Sequence, residues 1–156
     1  MKRLSTTILV LGLLMPVYLV TFVPSTNAQT SVQCGDIFES ELQNLDDRHT
    51  YVMNLSAGDT LSLTASPIGS GLALTVDVID KIDTKILSRW GGGSHQGSVV
   101  VSATGEYTII VKSWGQGVGT YTLGIGCTFR DGTTINPGDI APEVDETSST
   151  DISAQL

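Results

Sequence analysis

The chain has 156 residues, with 16 acidic side chains against 8 basic ones and a formal net charge of −8. That balance argues against nucleic acid as a partner, which requires clustered Lys and Arg, and no run of basic residues marks the sequence for anionic lipid. The patterned part of the chain, about residues 34–127, is long enough for one domain with its own core and too short for two.

Residues 1–28 read as a secretory signal peptide. Lys2 and Arg3 precede an apolar run over residues 8–23, and Thr26-Asn27-Ala28 supplies small residues for cleavage. The apolar run is shorter than the roughly 20 residues that a spanning helix needs, so no membrane insertion is expected after cleavage. Ser31-Val32-Gln33 does not form a lipobox ahead of Cys34. Loss of the leader removes two positive charges and leaves the chain more acidic still.

From Cys34 onward, short apolar runs recur at the intervals of an all-β sandwich. Residues 36–43 predict a first strand. Residues 49–55 alternate, with Tyr51, Met53 and Leu55 on one face. Ser56-Ala57-Gly58-Asp59 is a turn, and residues 60–65 follow with Leu61, Leu63 and Ala65 alternating. Residues 72–80 place Leu72, Leu74, Val76 and Val78 together, and residues 86–90 and 98–102 predict shorter strands. Two copies of Gly-x-Tyr-Thr, at Gly105 and Gly119, open the last two strands. Tyr107, Ile109 and Val111 share one face, and so do Tyr121, Leu123, Ile125 and Cys127. The glycine-rich segment from Trp114 to Gly119 predicts a hairpin between them. No segment has a helical period.

Residues 34–127 thus form one domain. Residues 128–156 predict a flexible acidic tail, rich in Asp, Glu, Pro, Ser and Thr, with a local hairpin at Asp131-Gly132 and no fixed structure beyond Ala141. Cys34 and Cys127 are the only cysteines. In an exported chain an even count predicts a disulfide, two free thiols being the alternative. A loop that long would contribute roughly 4–5 kcal/mol on the chain-entropy model.

"CGDIFESEL", "HTYVMNLSAGDTLSL", "LALTVDVID", "ATGEYTIIV" and "GTYTLGI", in that order, resemble the bacterial pre-peptidase C-terminal domain family over nearly all of residues 35–126. The resemblance implies a jelly-roll-like antiparallel β-sandwich. Members of that family are usually appended to secreted proteases and other exported hydrolases, and some bind calcium or fibrous substrates such as collagen. This sequence departs from the pattern at Gly71-Leu72-Ala73, where the family has an acidic pair, and no peptidase accompanies the domain in these residues.

Two histidines, His49 and His95, are the available general bases. Neither has a serine in a nucleophile-elbow context, and His95 lies in "GGGSHQG", read as a flexible loop. No zinc-ligand spacing is present. Glu39, Glu41, Asp46 and Asp47 gather hard oxygen ligands on the first strand and the turn after it, which suits calcium; solvated carboxylates are the plainer alternative. Asp77, Asp80 and Asp83 lack the spacing of an EF-hand and read as solvated, near Lys81 and Lys85. Trp90 and Trp114 are each followed by glycine. They read first as covers for the open ends of the core. Exposed together, they would instead offer a stacking surface for sugar rings or peptide side chains. Tyr51, Tyr107 and Tyr121 read as core packing.

These features predict a secreted, non-catalytic module, outside the cell or at its surface, that binds an extracellular protein or polysaccharide. The alternative is a folding, targeting or inhibitory accessory of a secreted hydrolase.

Overall fold

The computed structural model describes residues 29–115 and 117–139. The predicted signal peptide, and the acidic tail from residue 140 on, lie outside the described residues. Ten strands and no helix are found within them: β1 (Gln29–Ser31), β2 (Ile37–Leu42), β3 (Arg48–Leu55), β4 (Thr60–Pro67), β5 (Leu74–Ile79), β6 (Lys85–Gly91), β7 (His95–Val100), β8 (Gly105–Ser113), β9 (Gly119–Thr128) and β10 (Thr134–Ile135).

Alternation builds the sandwich. Tyr51, Met53 and Leu55 of β3, Leu74, Val76 and Val78 of β5, and Tyr107, Ile109 and Val111 of β8 are buried on the inner face of one sheet. Leu61, Leu63 and Ala65 of β4 and Tyr121, Leu123, Ile125 and Cys127 of β9 face them from the other. Burying such side chains is worth about 1.5–3 kcal/mol each for the larger aliphatics, and only the two-sheet arrangement gives both stripes a partner.

The first sheet has the order β1-β3-β8-β5-β6 and the second β10-β9-β4-β7, with β2 also paired to β9. All pairs are antiparallel except β1 with β3. This is an all-β, jelly-roll-like sandwich, as the resemblance implies.

The topology corrects one expectation. β8 and β9 do not form a hairpin: β8 lies between β3 and β5, whereas β9 lies in the opposite sheet beside β4. Trp114 therefore leaves one sheet and Val118 leads into the other. Both Gly-x-Tyr-Thr repeats still turn their apolar stripes inward, each from its own sheet. His95 is a second correction. It begins β7 and pairs with Ala65 rather than lying in a free loop, because Gly97 lets Arg89 and Leu87 pack against the strand, a Cβ there meeting both at 3.3 Å.

The sheets extend beyond residues 34–127 on both sides. β1 adds a parallel edge to β3, and β10 forms the expected hairpin through Asp131-Gly132, where Gly132 N–H donates to the Phe129 carbonyl at 2.9 Å. The predicted turn at Ser56–Asp59 is present, with Gly58 at a φ of +93° and Asp59 Oδ2 accepting from Ser56 N–H at 2.8 Å. Cys34 and Cys127 are disulfide-bonded across 93 positions of sequence, their Cα atoms 5.5 Å apart. The bond fits an oxidising, extracytoplasmic compartment.

Candidate functional site

Trp90 and Trp114 come together at one end of the first sheet. Trp90 is paired with Thr75, which lies on the outward parity of β5, so its ring stands on the outer face. Trp114 follows the last residue of β8, and its N–H donates to the Ala73 carbonyl at 2.7 Å, pinning the crossing segment to the start of β5. Ser113 Oγ donates to the Gly117 carbonyl at 2.5 Å, and a side chain at Gly117 would overlap the Gly71 carbonyl. Because β5 lies between β6 and β8, the two indoles meet over it, with ring centroids 5.0 Å apart and planes tilted by 33°. That is within the range of a favourable aromatic pair.

Both rings remain open to solvent, Trp90 at 61% and Trp114 at 50% exposure. They do not cover the core. Ile68, whose N–H donates to the Thr120 carbonyl of β9 at 2.8 Å, and Val118, just before β9, are also exposed.

The outer face continues from this pair into polar residues. Thr75 is also paired with Lys112 of β8, and Lys112 with Arg48 of β3. One row thus runs Trp90, Thr75, Lys112, Arg48 across four strands. In the next row Asp77 is buried, although it sits on the outward parity where a solvated carboxylate was expected. Lys85 Nζ donates to it at 2.8 Å, Ser88 Oγ at 2.6 Å, and Lys112 Nζ lies 3.6 Å away. Burial works to raise its pKa; the hydrogen bonds from Lys85 and Ser88 and the two ammonium charges outweigh it and hold the carboxyl below its ordinary value.

The calcium candidates are dispersed in their roles. Glu39 and Glu41 point outward from β2 and are exposed. Asp47 Oδ2 accepts from Gln43 N–H at 2.6 Å and Asn44 N–H at 2.9 Å, closing the turn into β3, and those amides help to lower its pKa. Asp46 N–H donates to Asn44 Oδ1 at 3.1 Å. Among the described residues, no three His, Cys, Asp or Glu side chains converge as a metal-holding group. Asp80 Oδ1 closes the β5–β6 turn by accepting from Ile82 and Thr84 N–H at 3.0 and 2.8 Å, and Asp83 takes a left-handed φ of 64° there.

The histidines are built into the fold. His49 Nδ1 lies 2.6 Å from the Tyr121 hydroxyl, which lies 2.8 Å from the Tyr51 hydroxyl. This chain joins the two sheets through the core. Burial, reinforced by the hydrogen bond with Tyr51, pushes the Tyr121 phenol far above its ordinary value. The tyrosines do pack, as expected, but their hydroxyls also bridge the sheets, a role their parity alone did not announce. His95 tucks under Gly91, and its Nε2 is buried without a hydrogen-bond partner among the described residues. An open polar groove of about 350 Å³ lies nearby, lined by Ser62, Arg89, Gln96, Gly97 and Ser98.

No protein-family model matches the chain, and no curated protein matches it. Solved structures do. The pre-peptidase C-terminal domain of a collagenase from Bacillus anthracis superposes with a TM-score of 0.54 at 17% identity, covering 63% of this chain and 94% of that one. PliG of Aeromonas hydrophila, a periplasmic inhibitor of g-type lysozyme, superposes with a TM-score of 0.42 at 21% identity, over 62% and 95% of the two chains. At such identities the first likeness is one of architecture, and the chain has the fold of a pre-peptidase C-terminal domain.

Proposed function

We propose that the chain is a secreted, non-catalytic module that holds an extracellular polymer or protein against Trp90 and Trp114. The observation that carries this reading is the pair itself: two half-exposed indoles in mutual contact on a rigid sheet. Large exposed apolar rings lower stability or solubility unless they meet something, and rigid aromatic anchors lose little conformational entropy on binding. One of the two histidines and both cysteines are engaged within the fold. His49 is held by Tyr121, and the two sulfurs by each other.

The experiment is retention of the purified protein on a panel of insoluble polysaccharides and matrix proteins, with tryptophan fluorescence followed in parallel. Trp90→Ala and Trp114→Ala should fold with unchanged melting temperature within a few degrees and lose retention about tenfold or more, in line with the ~1–3 kcal/mol of a stacked aromatic contact. Retention equal to that of the unsubstituted protein in both variants would refute the reading.

A further inference from the structure

The chain is acidic, yet the outer face next to the tryptophans is basic. Six basic residues follow Arg3 in the sequence, and three of them, Arg48, Lys85 and Lys112, stand on this one face. They are far apart in sequence, and only the strand order β3-β8-β5-β6 assembles them. Lys85 has a counter-charge in Asp77 at 2.8 Å, and Lys112 shares the same carboxylate at 3.6 Å. One buried carboxylate thus serves two cations. Arg48 has no ion pair among the described residues, and the carboxylate of Asp47 beside it in sequence is turned to the Gln43 and Asn44 amides.

Arg48 and Lys112 are direct cross-strand partners. Side chains so placed have Cβ atoms about 4.5–5.5 Å apart, and like charges there destabilise a sheet. A β-branched or polar neutral residue at either position would remove that repulsion at no cost to the core. The arrangement keeps a local excess of positive charge beside two open aromatic rings, within a molecule whose net charge repels anions.

We propose that this face binds an anionic polysaccharide, with sugar rings against Trp90 and Trp114 and carboxylate or sulfate groups on Arg48 and Lys112. The inference rests on the binding role given to the tryptophan pair and names its ligand class. The chemistry matches. Sugar rings present apolar C–H faces to indoles, and a guanidinium grips a carboxylate or sulfate with two parallel hydrogen bonds. The geometry matches as well. The row from Trp90 to Arg48 spans four strands, roughly 14 Å at about 4.8 Å per step, on an open sheet face that an extended chain of sugars can cross. A neutral polymer would make no use of Arg48, and Arg48 and Lys112 stand on the face of interior strands, away from the β6 edge at which a peptide backbone would pair.

The test measures equilibrium binding of the purified protein to polygalacturonate, dextran sulfate, neutral dextran and poly-glutamate, at low and at physiological salt. Polygalacturonate or dextran sulfate should bind at least about tenfold tighter than neutral dextran and than poly-glutamate, and whichever of the two binds tighter identifies the anionic group. Arg48→Gln and Lys112→Gln should each weaken that binding by about tenfold, the scale of one charge-assisted contact, and reduce its salt dependence. Arg48→Lys should recover only part of it. Arg130→Gln, the same charge removed from the end of the other sheet, should change nothing, and thermal melts of every variant report folding.

Equal binding of neutral dextran, with Arg48→Gln and Lys112→Gln silent and Trp90→Ala impaired, overturns the anionic ligand and leaves the aromatic site standing. Poly-glutamate binding as tightly as the sugars also overturns it, in favour of an acidic protein. Binding unaffected by Trp90→Ala and Trp114→Ala overturns both readings.

Discussion

Asp77 shows how a single side chain can reverse its apparent role. Its parity on β5 is outward, and the sequence makes it one of three spaced acids near lysines. In the sheet it lies beneath Lys85 and Lys112 and is buried. The partners come from β6 and β8, and no spacing along the chain discloses that register. Asp77→Asn should cost about 1–3 kcal/mol at neutral pH, since it leaves the hydrogen bonds of Lys85 and Ser88 poorly matched. The sign of the pH dependence follows from the lowered carboxyl. The unfolded chain takes up a proton near pH 3.8 while the folded chain resists it, so the stabilisation is full above that pH and is lost as pH falls through the folded value. Urea melts from neutral to strongly acidic pH should show the gap between the two proteins closing in acid. Tyr121 behaves oppositely. Its buried phenol stays neutral past pH 10.0, where an unfolded tyrosine ionises, so its stabilisation is full below that pH and declines above it. Tyr121→Phe should cost about 1–2 kcal/mol by stripping His49 and Tyr51 of their shared partner, and a spectrophotometric tyrosine titration of the folded protein should gain no early-ionising phenol. The burial of Tyr51 and Tyr121 was legible from alternation. Their bond across the core was not, because it depends on which strands face each other.

At the level of strands, the core was readable and the connections were less so. β3, β4, β5, β8 and β9 follow the apolar alternation to within two residues at each end. β1 carries no buried side chain, and β10 only Ile135, so periodicity had little to report there. The glycine-rich segment after Trp114 mimics a hairpin because a crossing between sheets needs the same compact, close-packed backbone. The tryptophans were singled out from sequence, but their contact was hidden, since it needs β5 between β6 and β8. Gly35 illustrates how tightly the ends of the domain are knit. It has a φ of +98°, its N–H donates to the Ile125 carbonyl at 2.8 Å, and a Cβ there would overlap the Asp139 carbonyl oxygen. Gly35→Ala should therefore destabilise by at least about 1 kcal/mol from the backbone alone. It should also raise hydrogen exchange at Gly138, whose N–H donates to the Gly35 carbonyl at 2.6 Å. Exchange at Gly138 unchanged in a folded variant would contradict this account of the junction.

For the molecule as a whole, two sheets close over one core and a single covalent link ties the segment before β2 to the end of β9. Replacing both cysteines with serine should lower stability by about 4 kcal/mol on the chain-entropy account, measured by urea melts of the oxidised and substituted proteins; a difference near zero would mean that the link does not restrict the unfolded chain. The architecture was legible in the sequence because a sandwich needs little more than recurrent two-residue alternation. The surface was not, because the side chains that share a patch come from strands distant in sequence. The covalent link has a bearing on maturation. A chain with two cysteines has one intramolecular disulfide open to it, so an oxidant that closes a bond within the unfolded chain makes the native one, and scrambled intramolecular isomers do not arise. Once made, the bond spares the chain its longest conformational search, bringing together ends 93 positions apart. Oxidation and sheet assembly can then occur in either order without trapping the protein, a tolerance suited to a domain whose neighbouring strands are mostly not consecutive.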